Sequence, residues 1–319
     1  MSNEQTTLQL QGGEKRRRAR ERLYRYVFLL CATLTIVITL SLIVTLAVDA
    51  LKFFTSYSPI DFLTGTTWRV SEGQFGALPL IWGTIVVTLI SALIAIPTGV
   101  LAAVYLSEYA DERTRAILKP GLEILAGIPT VVYGYLALVY FTPFLRTLGI
   151  DAGTFNILSA SILVGVLIIP MVSSLSEDAM SAVPDSLREA GYGLGATKFD
   201  VTTGVVIPAA ASGIFASFIL ALSRAIGETL VVAMAMGLRP RLPATGNGLF
   251  GIPYIKPLET VSSSGQTMTS AMVQAAQADI AVSPLVGQSL FALGATLFVM
   301  TFLMNYASNR IAKRYREEY

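Results

Sequence analysis

Apolar residues in this chain gather into six long runs, at about residues 26–50, 80–106, 120–145, 155–176, 205–238 and 284–308, with polar stretches between them. A hydrocarbon core about 30 Å thick needs about 20 residues of α-helix to cross it, so each run predicts one spanning helix. The expected fold class is all-α integral membrane, with six transmembrane helices. Pro97, Pro129 and Pro170 fall inside the runs, where a missing N–H and a clash with the preceding turn predict a bend or an opening. Such breaks survive at membrane depth where neighbouring helices or water satisfy the freed carbonyls. Gly83, Gly99, Gly127, Gly134, Gly165, Gly227 and Gly294 are positions at which helices can approach closely.

The polar stretches differ in character. Residues 1–25 form a basic tail: 1–14 are polar and expected to be disordered, and Lys15 to Arg25 holds seven basic residues directly before the first run. A basic cluster abutting a span reads as a cytoplasmic, lipid-facing anchor rather than a nucleic-acid patch. The bilayer is thus an expected partner and nucleic acid is not. Residues 184–208 predict two short helices. Pro184, Asp185 and Ser186 start the first; Leu187, Ala190 and Leu194 recur at helical spacing as apolar pins, and Gly193 and Gly195 close it. Thr197 followed by Asp200 predicts a capping box for the second, and Val201, Val205 and Ile207 lead back to Pro208. Residues 239–283 are too long for a tight connection; within them Met268 to Ala278 predicts a short helix, at the outer surface or partly re-entrant. Residues 309–319 form a second polar tail.

Composition agrees with the pattern: 53% hydrophobic and 14% charged residues, with mean hydropathy +0.63, are more apolar than a soluble domain of this length. With no His and a lone Cys31, the chain lacks an intramolecular disulfide, a Cys/His metal centre and a His general base. No Gly-x-x-x-x-Gly-Lys-Ser/Thr occurs, so ATP should not bind this chain. No cofactor is expected, and the chain does not read as an enzyme. The uncharged stretch from Tyr26 to Val48 exceeds the apolar core of a cleavable leader and is taken as the first span. Six spans put both termini on one side. That side holds 16 Lys and Arg in its connecting segments against 6 opposite, which places both termini and residues 184–208 in the cytoplasm.

Arg224 and Glu228 are the charges expected inside the spans, four residues apart and so on one face of a continuous fifth helix. Two readings stay open. They form a structural ion pair locking the bundle, or an anion-handling site in which Arg224 presents a fork of donors to an oxyanion while Glu228 holds the fork in place. Glu123, Glu177 and Asp178 are expected at solvated helix ends.

Glu189, Ala190, Gly195, Val205, Ile207 and Pro208 fall at the spacing of the cytoplasmic EAA loop of ABC-type importer permeases. Gly191 departs from the second Ala of that pattern, which predicts a looser first helix. With SRAIGET (Ser223 to Thr229), GALPLIWGT (Gly76 to Thr84), the stretch from Ser107 to Gly134, FNILSA (Phe155 to Ala160) and IIPMVSSLSEDA (Ile168 to Ala179), the chain resembles the C-type permease subunits of phosphate-specific ABC importers, the PstC family, over about Tyr24 to Tyr319. The resemblance implies a type I ABC importer permease (MetI-like) fold in a prokaryotic plasma (inner) membrane. It implies a heterodimer with a second homologous permease, a dimeric ATP-binding subunit inside and an extracytoplasmic phosphate-binding protein. It further implies that Glu189, Ala190, Gly195 and Pro208 couple to the ATPase, and that Ser223, Arg224, Glu228 and Thr229 line the substrate pathway. Import of another oxyanion such as sulfate or molybdate, an ion-coupled carrier, and a phosphate-sensing scaffold are the rival readings.

Overall fold

The computed structural model describes residues 2–247, 253–277 and 284–314, with side chains over 20–246, 254–277 and 284–310. The first helix, α1, runs from Ser2 to Ser56. The polar tail expected to be disordered is thus helical from its start: Gln, Glu, Arg and Leu are strong helix formers, and Gly12 and Gly13 do not interrupt them. The most apolar stretch of α1 buries nothing within the chain. It is hydrophobic all round, the mark of a span facing lipid or another subunit. α1 packs along the last helix.

At its far end α1 meets an aromatic cluster. A short helix, α2 (Pro59–Thr64), is capped by Ser58, whose hydroxyl accepts the Asp61 N–H, and a two-stranded ribbon pairs β1 (Trp68–Arg69) with β2 (Gln74–Phe75). Phe53, Phe62, Trp68 and Phe75 are buried there, edge to face.

Two helices make the centre of the bundle: α3 (Leu78–Val104), extended by a wide π-helical turn at Tyr105–Tyr109, and α7 (Ile157–Ser181). Both run on through their prolines, Pro97 and Pro170. Glycine lets them touch: a Cβ on Gly99 would lie 2.7 Å from Val172 Cβ, and one on Gly165 3.2 Å from Ile94 Cβ. Gly127 and Gly227, expected to do the same, have open space beside them and instead end helices.

The third expected span, 120–145, is broken. Asp111, whose carboxylate is held below its usual range by the Thr114 hydroxyl, precedes α4 (Glu112–Gly127). Pro129 then stops the helix, and α5 (Thr130–Leu136), a wide turn (Ala137–Phe141) and α6 (Thr142–Thr147) leave at 87° to it. Residues 130–147 make about 27 Å of helix at ~1.5 Å per residue, close to a full crossing. Among the described residues five helices are long and apolar enough to cross a membrane, and six if the bent pair counts as one span.

After α7 come α8 (Asp185–Gly193), α9 (Lys198–Val201), a wide turn (Thr202–Val206) and α10 (Ile207–Gly227), then α11 (Leu230–Ala235). The long connection beyond α11 holds a ribbon of β3 (Thr245–Asn247) and β4 (Pro253–Ile255), α12 (Pro257–Ser262) and α13 (Met268–Gln277), before α14 (Pro284–Arg314) closes the bundle.

Candidate functional site

The fifth run does not form the single helix expected over 205–238. Gly227 ends α10, Glu228 is extended (φ −67°, ψ 132°), and α11 starts after Thr229. Gly and Thr are poor helix formers, but a break at this depth persists only because the freed groups find partners. The Thr229 hydroxyl donates to the Gly227 carbonyl at 3.1 Å and the Thr269 hydroxyl donates to the Glu228 carbonyl at 2.9 Å. The Glu228 carboxylate accepts the Val231 N–H at 3.3 Å, a negative charge at the start of α11.

Arg224 and Glu228 therefore do not share a helical face; they stand on either side of a break. Arg224 Nη2 lies 3.9 Å from Glu228 Oε2, beyond hydrogen-bond distance, with side chains 50% and 4% exposed. At that spacing the two charges make no hydrogen bond to each other, a weak tie for locking a bundle. Glu228 is held by backbone, while Arg224 has no hydrogen-bond partner among the described residues. Ser223 turns away from the break and donates to Asn305 of α14 at 2.9 Å.

Arg224 lines a cavity of about 360 Å³ together with Lys119 and Glu123 of α4 and Ser174 and Glu177 of α7. Glu177, expected to be solvated, is fully buried: its carboxylate receives Arg115 and, at 2.6 Å, Lys119, which also reaches Asp178 at 3.2 Å. Helix α4, leaving the bundle axis at Pro129, lays its basic face across the end of α7 and covers this carboxylate.

The amino-terminal half of α13 is buried within the bundle rather than lying on its surface. Met268, Thr269, Ser270 and Ala271 are buried, the Met268 N–H donates to Thr84 Oγ1 at 3.1 Å, and a Cβ on Gly83 would lie 2.2 Å from the Gln266 carbonyl oxygen. Its amino-terminal end thus reaches the break at Glu228. The signal was the polar run QTMTS (Gln266 to Ser270), whose contact with Glu228 spacing alone could not reveal. At the far end of the spans, Arg239, Arg241, Ser263 and Ser264 line a second cavity of about 700 Å³.

At the other end, α8 and α9 form the expected knob. Thr197 and Asp200 make the capping box, and Gly195 takes the left-handed conformation (φ 82°) that turns the chain between the helices. Gly191 does not loosen the first helix: a Cβ there would meet Val201 Cγ2 at 2.9 Å, so glycine admits the second helix. One assignment reverses. Leu194, expected to pin the knob, is 90% exposed, because α8 ends at Gly193 and the helical phase ends with it. Ala190 is exposed too. Leu194, Phe199 and Tyr192 present apolar surface outward, and Glu189 is exposed beside them, while Pro208 is half-buried in the first turn of α10.

Residues 95–317 match the family described as the binding-protein-dependent transport system inner membrane component. The chain is 33% identical over 294 residues to the probable ABC transporter permease protein YqgH of Bacillus subtilis, covering 90% of both. It is 34% identical over 263 residues to the phosphate transport system permease protein PstC of Mesorhizobium japonicum, covering 76% of this chain and 75% of that one. Among solved structures it resembles a bacterial alginate ABC transporter (TM-score 0.60, 16% identity, 90% of this chain and 94% of that one) and the MetNI methionine ABC transporter (TM-score 0.52, 20% identity, 74% and 94%), which speaks to the fold alone. The chain belongs to the inner-membrane permease components of binding-protein-dependent ABC transport systems, and among them to the PstC type.

Proposed function

We propose that this chain is one permease subunit of an ATP-driven importer of inorganic phosphate. It pairs with a second, homologous permease, receives the anion from an extracytoplasmic binding protein, and is driven by an ATPase dimer that grips residues 184–208 in the cytoplasm. The relatives named for phosphate transport support the substrate, and the excess of Lys and Arg on the knob side supports the orientation. The observation that carries the reading is Arg224: a half-exposed guanidinium without a hydrogen-bond partner among the described residues, in a cavity wall beside a helix break. A tetrahedral oxyanion accepts two parallel bonds from such a fork. Glu228, fixed by the backbone nearby, repels the anion, so the site passes phosphate on rather than storing it. Closure of the ATPases carries the knobs, and the attached spans tilt.

The test is ATP-dependent uptake of labelled phosphate by vesicles holding the chain with its co-purified partners. Losing one charge-assisted fork of about 1.5–3 kcal/mol predicts that Arg224→Ala lowers uptake about 10- to 150-fold, and that Arg224→Glu with Glu228→Arg does not restore it. Full uptake by that exchange, or normal uptake by Arg224→Ala, overturns the pathway. Uptake quenched by excess sulfate or molybdate identifies another oxyanion, and uptake without ATP an ion-coupled carrier.

A further inference from the structure

We propose that the wide turn Tyr105–Tyr109, at the end of α3, is where movement of the knob enters the core of the bundle, and that Arg188 and Glu108 are the positioning residues that join the two. This rests on the reading of residues 184–208 as the ATPase-docking element.

The knob is continuous in sequence with α7 before it and α10 after it, but not with α3. Its attachment to α3 is made by side chains. Arg188, on α8, is the residue before Glu189. Its guanidinium donates to Glu108 Oε1 at 3.0 Å, to the Met180 carbonyl at 2.8 Å, to the Val183 carbonyl at 2.6 Å and to Asp185 Oδ1 at 3.1 Å. One side chain thus ties the knob to the end of α7 and, across 80 residues of sequence, to the end of α3. The Glu108 side chain is 4% exposed and that of Arg188 15%; the Ser107 hydroxyl donates to the same carboxylate oxygen at 2.9 Å. A carboxylate buried this deeply is costly without its cation, so the joint resists being pulled open. A second attachment lands on the same turn: the Lys198 ammonium, at the start of α9, sits 5.0 Å from the centre of the Tyr109 ring, a cation–π contact. Both helices of the knob therefore hold one five-residue turn.

The consequence for transport comes from packing. α3 and α7 form the central pair, closely apposed at Gly99 and Gly165. A load on the knob reaches α7 and α10 through the backbone. Without the Arg188–Glu108 joint it reaches α3 through the Lys198–Tyr109 contact and through apolar packing, around Met180 and Val206 and along α7, which slides more readily than a four-bond guanidinium. π-Helical turns are frequent at functional sites, and here the joint is made on such a turn, directly after the long apolar part of α3.

The test uses the complete transporter in vesicles, with Cys31→Ser as background, and reads phosphate moved per ATP hydrolysed. In Arg188→Ala and in the near-isosteric Glu108→Gln, the ATPase still co-purifies and still hydrolyses ATP. The ratio falls by about tenfold or more, the scale of a lost coupling free energy. Arg188→Cys with Glu108→Cys gives the same low ratio, and joining the two thiols with a short bifunctional reagent restores it. A ratio within about twofold of the parent in both single variants, or one that linking leaves unchanged, overturns the inference alone. A parent chain that transports with no ATPase bound overturns the docking reading and this inference with it.

Discussion

Glu177 tests whether the clasp between α4 and α7 is structural, because its two sides differ in burial. The carboxylate is 1% exposed, whereas Arg115 and Lys119 are 38% and 32% exposed. In Glu177→Gln the shape stays, one charge-assisted bond is lost and the other is weakened. Hydrogen bonds to charged groups contribute about 1.5–3 kcal/mol each. The two cations rehydrate when released and Lys119 retains Asp178 at 3.2 Å, so the low end of that range applies and the expected loss is about 2 kcal/mol. Removing the cations instead, with Arg115→Ala and Lys119→Ala together, strands a buried carboxylate, and the expected loss is about 3–5 kcal/mol. Thermal unfolding of the purified protein, followed by Trp fluorescence, measures both. At roughly 2–4 °C per kcal/mol the first variant loses about 4–8 °C and the second visibly more. The reverse order, or two variants within about 0.5 kcal/mol of the parent, refutes the assignment of Glu177 as the desolvated partner.

Two glycine substitutions should have opposite signs in the same unfolding measurement. Gly83→Ala forces a methyl group onto the Gln266 carbonyl at 2.2 Å and costs about 1–3 kcal/mol from overpacking; Gly121→Ala, inside α4 with nothing within 4 Å, gains up to about 1 kcal/mol of helix propensity. Equal shifts would show that α13 is not seated against α3. On the knob, Leu194→Ser with Phe199→Ser removes exposed apolar surface without touching the bundle; the variant should keep its Tm but lose co-purifying ATPase, and full retention would remove these residues from the docking face.

Whether a feature is legible in the sequence depends on whether it is local. The runs of apolar residues locate five of the spans, and Thr197 with Asp200 announces a capping box that depends only on neighbours three apart. Pro129 is legible as a break, because its ring forbids the helix before it, but the 87° turn is not, since it depends on where α4 finds a carboxylate to cover. Glu177 looks like a solvated helix end for the same reason: its cations come from 58 and 62 residues away. Leu194 is misplaced by extending a helical phase one residue beyond the helix. The break at Glu228 is hidden because its stabilising group, the Thr269 hydroxyl, arrives from a connection 41 residues later. Arg188 gives no signal of its own, because a charge beside Glu189 reads as surface until Glu108 is seen opposite it.

The wide turn at Thr202–Val206 joins the knob to α10 with one residue more than an α-helical turn would hold. Each residue of an α-helix rotates its successor by about 100°, but the wide turn takes up its extra position within itself, so Arg224 keeps nearly the bearing that an ordinary α-helical turn would give it. Shortening the chain by one residue there would close an ordinary α-helical turn and leave that bearing nearly unchanged, whereas the same deletion within α10 would swing the guanidinium more than a quarter-circle. The aim of the proposed anion site is thereby buffered against a one-residue loss at the turn that joins it to the proposed docking knob.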